Sequence, residues 1–389
     1  MGTKSFTSKL REVVTQACYV RKHVRRGFWA QFRDLVTMYR DNPTCNVFDY
    51  YRYQLYGGQR GSPLYRELLG SGGQEAFSRS LNPRNAVSPA WDKMLFAVLC
   101  EAYDLPAPEM LAFYKPHGES PRFAKRTLST LAQVKEYVLS STGPIFIKPV
   151  KSHQGQGAFL ITDVDADTES VVGVDGVAIS YDAFLEKTFT LSGAHRYKPN
   201  AGFLFQRPVR QHPGITDFTQ TERPSGLRIL VLNTGNGPFV HRVIWKIIAP
   251  GNISDNFSRG KYGNMVSQVD PVNGTVSPAI DGFWPTGRLH ANHPVSGRSF
   301  DGFTLPLWSQ VVKDVLRASS VINDMGAMHW DVIISETGAV LLELNDIGGT
   351  EFLQLHGQGL IDDNLKAGLQ RAAVLQKGSE FSRFIVGRA

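Results

Sequence analysis

The sequence predicts a mixed α and β fold with a partly antiparallel sheet. Short runs rich in Val, Ile, Leu and Phe predict strands, and they alternate with stretches whose apolar residues recur at helical spacing. The 389 residues are 42% hydrophobic and 20% charged, which is typical of a globular protein with a large core and not of a disordered chain. That length allows two or three domains.

The first 40 residues account for the whole net charge of the chain. They contain nine Lys and Arg residues against Glu12 and Asp34, an excess of seven that equals the net charge of +7. Apolar residues recur here at three- and four-residue steps, which predicts a basic amphipathic helix. Two interpretations are open: the helix packs on the body with a solvated basic face, or residues 1–40 make a peripheral contact with an anionic membrane or a phosphorylated partner.

The later elements follow from the positions of turn residues. Residues 41–87 are rich in Tyr, Arg, Gly and Pro and predict irregular or short helical structure, so residues 1–87 form an N-terminal extension. A regular body is expected at residues 88–376, followed by a tail at 377–389. Within the body we predict helices at 88–103, 308–322 and 362–376, strands at 143–150, 157–164, 201–209, 226–234, 238–249 and 265–269, and a polar loop at 251–264.

The sequence also excludes some classes of protein. No run approaches the ~18 apolar residues of a membrane-spanning helix, and the chain does not begin with an apolar core and cleavage site, so we expect neither a spanning helix nor secretion. Cys18, Cys45 and Cys100 are odd in number and widely spaced, which predicts unpaired thiols in a reducing compartment, the cytoplasm. We expect no nucleic-acid partner, and the sequence leaves the oligomeric state open.

The most informative segment is a predicted β-hairpin at residues 327–346. Its two apolar runs are joined by Glu336-Thr337-Gly338, which predicts a three-residue loop with Gly at its third position. Counting outward from this loop gives three opposed pairs: Ser335 and Ala339, Ile333 and Leu341, and Asp331 and Glu343.

Three side chains of this hairpin predict a metal site. Glu343 and Asn345 are two residues apart and share a face of their strand, and Asp331 faces Glu343 across the ladder. Two carboxylates and an amide oxygen suit a hard cation such as Mg2+ far better than zinc. The flanking leucines make the strand look buried on both faces, so the carboxylates need a metal or a charged partner. The alternative is a polar sheet face in contact with solvent.

A lysine and a glycine-rich loop predict a phosphate site. Lys148 ends its strand, and the loop that follows contains Ser152, Gly155 and Gly157, whose backbone N–H groups would cradle phosphates. The alternative is a common hairpin loop beside a surface lysine. Lys93, early in its helix, would add a second cation to the same pocket, or would lie in solvent.

A strand arginine and a polar loop complete the candidate residues. Arg228 lies inside a predicted strand, where its guanidinium must find an anion. A nucleotide phosphate or a substrate carboxylate would serve, and so would a structural ion pair. The polar loop from Asp255 to Lys261, which includes Asn256, would close over a reactive intermediate or would be a flexible turn.

Taken in order, these features resemble the ATP-grasp superfamily: a helix lysine, a strand lysine with a glycine-rich loop, an adenine-strap strand, a strand arginine, and Asp followed by Glu-x-Asn. The closer resemblance is to the sugar-transfer-associated ATP-grasp proteins, and it covers residue 88 to about residue 362. Its pattern appears in QRPVRQHP (206–213), SGLRI (225–229), SDNFSRGKYG (254–263), VDPVNGTV (269–276), HPVSGRSFDGFTLPLW (293–308), HWDVIISETGAVLLELN (329–345) and the later Leu353-Gln354.

The resemblance implies an ATP-grasp fold, in which two α+β lobes clamp ATP between antiparallel sheets. The smaller lobe would comprise about residues 140–210. A basic and mainly helical extension would precede the ATP-grasp domain in the sequence. ATP and two Mg2+ ions are the implied cofactors. Lys93 and Lys148 would hold the α- and β-phosphates, and the loop Ser152–Gly157 would cover the triphosphate. The backbone of Gln206-Arg207-Pro208-Val209 would form hydrogen bonds to the adenine edge, with Ile147 and Leu342 as apolar walls. The metal ions would be bound by Asp331, Glu343 and Asn345, and Arg228 would contact the γ-phosphate and the acyl-phosphate.

Two departures from the superfamily matter. Gln206 or Arg207 stands where a Glu often accepts a hydrogen bond from the adenine amino group. Lys261 follows Gly260 where the family usually has a second Gly.

The resemblance implies an ATP-dependent carboxylate–amine ligase that forms an amide through an acyl-phosphate. Its partners would be small molecules, a carboxylate and an amine, such as an amino acid and an amino sugar. Arg228, Lys148 and Asn256 are the candidate catalytic residues. Two alternatives stay open: an ATP-grasp phosphotransferase, and a non-enzymatic nucleotide-binding scaffold associated with glycan assembly.

Overall fold

Two sheets, both mainly antiparallel, organise the chain. The structure is a computed structural model that describes residues 5–57, 64–117, 121–152, 157–190, 202–252, 254–322 and 324–375, and the statements below concern these residues. Within them each sheet has seven strands. Neighbouring strands run antiparallel, except for one parallel pair at an edge of the first sheet. The fold is therefore mixed α and β, as the sequence predicts.

The first sheet contains the strands predicted before and after the glycine-rich loop. Two of its strands precede residue 140, so this sheet is larger than the segment 140–210. In spatial order it consists of β2 (Thr127–Leu128), β1 (Met110–Tyr114), β7 (Phe203–Gln206), β3 (Ile145–Pro149), β4 (Phe159–Asp165), β5 (Ser170–Gly173) and β6 (Ala178–Ser180).

The second sheet contains the predicted C-terminal hairpin at one edge. The strands predicted at 226–234, 238–249 and 265–269 are confirmed and lie beside it. In spatial order the sheet consists of β12 (Leu289–His290), β11 (Ala279–Ile280), β10 (Met265–Val269), β9 (Pro238–Ile247), β8 (Leu227–Asn233), β13 (Ala327–Ser335) and β14 (Gly338–Asn345).

The helices cover the sheets and build the N-terminal extension. Those predicted at 308–322 and 362–376 are confirmed, whereas the one predicted at 88–103 is divided at Asp92. The Asp92 carboxylate accepts hydrogen bonds from the N–H groups of Met94 and Leu95, so a new helix begins at Lys93. The helices are α1 (Phe6–His23), α2 (Phe28–Asp41), α3 (Val47–Arg52), α4 (Leu64–Glu67), α5 (Gln74–Leu81), α6 (Ser88–Trp91), α7 (Lys93–Ala102), α8 (Leu131–Leu139), α9 (Tyr181–Leu185), α10 (Pro213–Thr219), α11 (Trp308–Val321) and α12 (Asp363–Leu375).

The basic N-terminal segment is helical, as predicted, and it is divided into two helices. The chain leaves helical geometry after α1, and Gly27 lies at the N-terminal end of α2 with an extended backbone. Val20 of α1 and Met38 of α2 are buried in the same core cluster. The apolar periodicity continues across the break, which is why the sequence did not reveal it.

The hairpin between β13 and β14 has a shorter loop than predicted. Only Glu336 and Thr337 form the turn, because Ser335 pairs with Gly338 and not with Ala339. The ladder then shifts by one residue between Asp331 and Val332, a β-bulge that restores the predicted register. Asp331 lies opposite Glu343, and His329 lies opposite Asn345, as predicted.

The two faces of the second sheet have different coverings. One face packs with α11 and contributes Trp245 and Trp330 to a core cluster. The other face carries Leu230 and Leu232, which are buried against residues of the N-terminal extension, including Tyr50. The extension therefore shares a core with the body. Arg228 is two residues from Leu230 and points to this same face, just beyond the apolar part.

Other sequence expectations concern cysteines and membrane spans. Cys18, Cys45 and Cys100 are free thiols, as predicted, and the last two are buried. Among the described residues, no helix is long and apolar enough to cross a bilayer.

Gln354 connects the extension to the body through buried hydrogen bonds. Its Oε1 accepts from the N–H groups of Leu69, at 2.9 Å, and of Leu360, at 3.1 Å. Its Nε2 donates to the carbonyls of Leu69 and Thr350. One side chain thus satisfies buried backbone groups of two segments that are far apart in the sequence.

Replacing Gln354 by Ala should destabilise the protein strongly. The substitution leaves two buried backbone N–H groups without an acceptor and two carbonyl groups without a donor. We therefore expect a loss of about 3 kcal/mol in the free energy of unfolding. Urea denaturation measures it. The matched control is Gln310→Ala on the exposed side of α11, which should change stability by less than about 0.5 kcal/mol. Equal effects of the two substitutions would contradict the role of Gln354.

Candidate active site

Two lysines from the first half of the chain meet the edge strand of the second sheet. Lys148, at the end of β3, donates from Nζ to the carbonyl oxygen of Leu342 at 3.3 Å. Lys93, in the first turn of α7, donates from Nζ to the carbonyl of Ser152 at 2.8 Å and lies 3.8 Å from a Glu343 carboxylate oxygen. The helix break at Asp92 places Lys93 there. The residues that the sequence selected separately are therefore brought together.

Lys148 is a buried cation without an ion-pair partner among the described residues. Burial lowers the pKa of its ammonium to about 8, Glu343 opposes that shift, and Lys93 reinforces it. A buried ammonium is costly unless an anion neutralises it. The geometry therefore suits a ligand that brings negative charge between Lys148 and Lys93.

A second group of charges crosses the neighbouring strands of the second sheet. Arg228 binds Asp331 in bidentate fashion, with both N···O distances 2.9 Å. Lys246 on β9 lies 3.1 Å from Asp331 Oδ1 and 3.1 Å from Asp255 Oδ2. Burial alone would raise the pKa of the Asp331 carboxyl, but Arg228 and Lys246 outweigh it and hold that pKa well below its usual range. Of the two roles open for Arg228, the ion pair is present.

Asp331, Glu343 and Asn345 converge, as the hairpin register predicts. Asn345 Nδ2 lies 3.2 Å from Asp331 Oδ2 and 3.4 Å from Glu343 Oε1, so its amide bridges the two carboxylates. A cation bound there would meet three oxygen donors once the amide presents its oxygen instead. Among the described residues no group of three His, Cys, Asp or Glu side chains could hold a metal ion, so a site at this hairpin would need the Asn345 amide as its third donor.

These three oxygen donors fit a hard divalent ion, but they are not equally accessible to it. The Glu343 side chain is about one third exposed and has a cationic neighbour only at 3.8 Å. Asp331 is nearly buried and shares its oxygens with Arg228 and Lys246. Glu343 and Asn345 are therefore the more accessible ligands, and Asp331 would have to share an oxygen.

The predicted adenine strap begins with a buried hydrogen-bond acceptor. Gln206 is 5% exposed, and its side-chain Oε1 has no hydrogen-bond partner among the described residues. Because Lys148 pairs with Leu204 and Phe146 pairs with Gln206, the two polar side chains lie on the same face of the sheet. Of the two residues that stand in place of the usual Glu, Gln206 thus faces inward, while the Arg207 side chain is exposed and ion-paired with Glu109.

The remaining predicted residues of the nucleotide pocket are placed as follows. Leu342 and Val209 are half-buried. Ile147 is wrong as a wall of the pocket: it alternates with Lys148 and is buried on the opposite face, in the cluster that contains Val134 and Val138. Ser152 and Gly157 flank the loop, and Gly157 has a φ of 75°, where glycine is favoured. Gly155 lies outside the described residues.

The polar loop contacts the charged cluster through Asp255. Asn256 is exposed, and its backbone carbonyl accepts from Asn264 Nδ2 at 2.8 Å. Asp255 instead contacts Lys246 and accepts from the N–H of Gly226 at 3.0 Å. Lys246 was missed in the sequence, and Asp255 was noted only as the first residue of the polar loop. A charged residue inside an apolar strand selected Arg228, and the same signal was present for Lys246.

His329 lies behind this cluster as a neutral imidazole. It is fully buried, neither ring nitrogen has a hydrogen-bond partner in the described structure, and burial lowers its pKa to about 3. A Cβ at Gly348 would lie 2.4 Å from the ring, so only glycine fits there.

Sequence comparison assigns the chain to a family. The sequence model of the family described as sugar-transfer associated ATP-grasp matches residues 73–367, about three quarters of the chain. The protein belongs to the sugar-transfer associated ATP-grasp family. No curated protein matches the chain significantly.

Structure comparison finds distant similarity of this ATP-grasp protein to ligases. It is similar to VanG D-Ala:D-Ser ligase from Enterococcus faecalis (TM-score 0.38, 13% identity, 78% of this chain) and to D-alanyl-alanine synthetase A from Vibrio cholerae (0.39, 13%, 79%). It is also similar to an L-amino acid ligase from Bacillus licheniformis (0.38, 12%, 68%). The chain spans 62%, 67% and 45% of the lengths of these three proteins.

Replacing Lys246 by Met should destabilise this ATP-grasp protein. The substitution leaves the buried Asp331 with one cation instead of two and removes the ion-pair partner of Asp255, so we expect a loss of about 3 kcal/mol in the free energy of unfolding. Urea denaturation measures it. Lys135→Met is the control, because Lys135 pairs with Glu169 at 2.6 Å on the surface and should contribute less than about 1 kcal/mol. A Lys246→Met protein as stable as wild type would contradict the buried cluster.

Proposed function

We propose that this protein is an ATP-dependent carboxylate–amine ligase. The observation that carries the proposal is the convergence of Lys93 and Lys148 on Glu343 and Asn345, across the two sheets of an ATP-grasp family member. Two cations beside a carboxylate–amide pair are what a nucleoside triphosphate with its divalent ion requires.

The proposed reaction has two steps. An oxygen of the substrate carboxylate attacks the γ-phosphorus of ATP, the bond to the β,γ-bridging oxygen breaks, and ADP leaves. The amine nitrogen of the second substrate then attacks the acyl-phosphate carbonyl carbon, the carbon–oxygen bond to phosphate breaks, and the nitrogen loses a proton. The products are an amide, ADP and phosphate. Positioning and charge neutralisation supply most of the catalysis in such a scheme.

The lysines neutralise phosphate charge. Lys148 is buried with a pKa of about 8, so an incoming phosphate would both stabilise its charged form and gain from the low-dielectric site. Lys93 adds a second cation from the start of α7. Arg228 donates two N–H groups to Asp331, and its guanidinium retains further donors for the transferred phosphoryl group.

The hairpin would hold Mg2+ through Glu343, Asn345 and Asp331, with two ions expected. When bound, such ions neutralise the charge that develops on phosphoryl oxygens. Arg228 and Lys246 keep Asp331 ionised and fix its orientation, which is a condition for its use as a ligand.

Gln206 supports adenine as the base. Its buried Oε1 has no hydrogen-bond partner in the part of the chain that the structure describes, and it would accept a hydrogen bond from an exocyclic amino group. An amide oxygen replaces the carboxylate usual in the superfamily, so the site gains an acceptor without a buried charge. Val209 and Leu342 would add apolar contacts.

The substrates we propose are an amino acid as the carboxylate and an amino sugar or another small amine. The sugar follows only from the description of the family. The exposed loop that contains Asn256 would close over the acyl-phosphate, with Asp255 anchoring it to the charged cluster.

An ADP-release screen tests the reaction. Pairs of amino acids and amino sugars are incubated with ATP and Mg2+, and positive mixtures are analysed by mass spectrometry. An amide product supports the ligase, whereas a phosphorylated final product would identify a phosphotransferase. Nucleotide binding without ADP release for any pair would favour a non-enzymatic scaffold.

Glu343→Gln should abolish ADP release and leave the fold intact. The substitution removes one negative charge from the proposed metal site but keeps the side-chain shape, so Mg2+ binding weakens while packing is preserved. ADP release and the circular dichroism spectrum are measured together, and chelation of Mg2+ should stop the wild-type enzyme. Glu336→Gln, in the turn of the same hairpin, is the control. Full activity of Glu343→Gln would refute the metal assignment.

Lys148→Met should weaken ATP binding while the free protein becomes as stable as wild type or more stable. The buried ammonium is costly in the absence of an anion, so its removal should not lower the thermal midpoint of the nucleotide-free protein. With ATP present we expect a rise of about tenfold or more in Kd or KM.

The control for this prediction is Lys151→Met. Lys151 lies three residues further along the chain, is half-exposed and pairs with Asp92 at 3.6 Å. It should bind ATP as wild type does. A Lys148→Met protein that is destabilised and still binds ATP normally would make Lys148 a structural residue.

A further inference from the structure

The two N-terminal helices expose large apolar side chains. Trp29 is 81% exposed and Phe6 is 80% exposed, and they are the extremes of a longer row. Val20 of α1 and Met38 of α2 are buried in one core cluster, so each helix also has an inward side. The exposed row consists of Phe6, Leu10 and Val14 of α1, and Phe28, Trp29, Phe32 and Val36 of α2; we call these residues the α1–α2 surface.

The apolar rows of the two helices adjoin. Val14 and Arg21 are two turns apart and lie on one side of α1. The Arg21 guanidinium lies 4.9 Å from the centre of the Phe28 ring on α2. Phe28 is one turn before Phe32, and Trp29 packs edge-on against Phe32 at 6.2 Å. The exposed apolar residues of α1 and α2 therefore meet where Arg21 covers Phe28.

Cations flank this surface, and the acidic residues of the segment turn away from it. Asp34 is buried and pairs with Arg26 at 2.7 Å, so this pair belongs to the interior. Glu12 is half-buried, and Asp41, the last residue of α2, pairs with Arg40 at 3.0 Å. The basic side chains that are exposed around the surface are Lys9, Arg11, Arg21, Lys22, Arg25 and Arg33.

We propose that the α1–α2 surface docks on an anionic lipid membrane. Exposed Trp and Phe side chains suit the interface between headgroups and acyl chains, and the basic rim suits anionic headgroups. Charge complementarity decides the occupant: a second copy of the chain would bring the same cationic surface and be repelled. A phosphorylated peptide would use the cations but has no need of a row of apolar side chains.

Docking in this way fixes the protein at a bilayer surface without a spanning helix. The surface belongs to the extension, whose other side packs on the body, so docking and catalysis use different residues. The inference is independent of the ligase reaction, because lipid binding is measured in the absence of ATP and substrates.

Vesicle sedimentation of the full chain tests the proposal. Wild-type protein should sediment with vesicles of equal parts phosphatidylglycerol and phosphatidylcholine, less so at high salt, and not with pure phosphatidylcholine. Replacing Lys22, Arg25 and Arg33 by Gln should weaken binding about a hundredfold, since each basic residue contributes roughly fivefold. The matched control replaces the exposed Arg84, Arg122 and Lys313 by Gln and should bind as wild type does.

Insertion of the apolar row needs its own readout. Trp29 fluorescence should be quenched by brominated phosphatidylcholine in anionic vesicles, and Trp29→Phe should remove that part of the quenching while binding persists. Replacing Trp29 and Phe32 by Ser should weaken binding about tenfold or more. Thermal unfolding checks that every variant is folded. The proposal is overturned if wild type does not bind anionic vesicles, if the two triple variants bind equally, or if Trp29 is not quenched.

Discussion

Everything at the candidate site depends on how buried charges are neutralised between two sheets. On one side Lys148 is buried without a carboxylate ion-pair partner among the described residues, and its lowered pKa expresses the cost of that burial. On the other side Asp331 is held by Arg228 and Lys246 and stays ionised. The protein itself neutralises the second group of charges but not the first. The proposed anion site rests on that asymmetry.

The second sheet positions these groups by combining a rigid apolar ladder with one local irregularity. Arg228 and Asp331 each lie between two buried apolar neighbours, and Glu343 and Asn345 flank the buried Leu344, so the core holds these residues in place. The bulge next to Asp331 leaves Leu342 without a partner across the ladder, and the Leu342 carbonyl is the group that meets Lys148. The irregularity thus lies where the two sheets come into contact.

Much of this arrangement could be predicted from the sequence. Successive side chains of a strand point to opposite faces of the sheet, and this restricts which residues can lie opposite one another. Asp331 and Glu343 were paired correctly although the loop was one residue too long, since the bulge compensated for the error. Ile147 was misplaced although it alternates with Lys148, an arrangement that puts the two side chains on opposite faces of β3. The sequence carried a signal for Lys246, a charged residue inside an apolar strand, but its meeting with Asp255 and Asp331 depends on how β9 and the loop after it pack, which no local pattern encodes. The division between α1 and α2 was hidden for the same reason that the Gln354 contacts were: tertiary packing decides both.

The N-terminal extension and the second sheet share a core. The segment that matches the family is therefore shorter than the segment that has to be present for the protein to fold. The recognisable family segment begins at residue 73, yet Tyr50, Tyr51 and other earlier residues cover Leu230 and Leu232. A gene fragment trimmed to the homologous region would present this sheet face bare, and Gln354 would lose its partner Leu69. For anyone preparing shortened versions, the minimal folding unit includes residues that sequence families do not recognise.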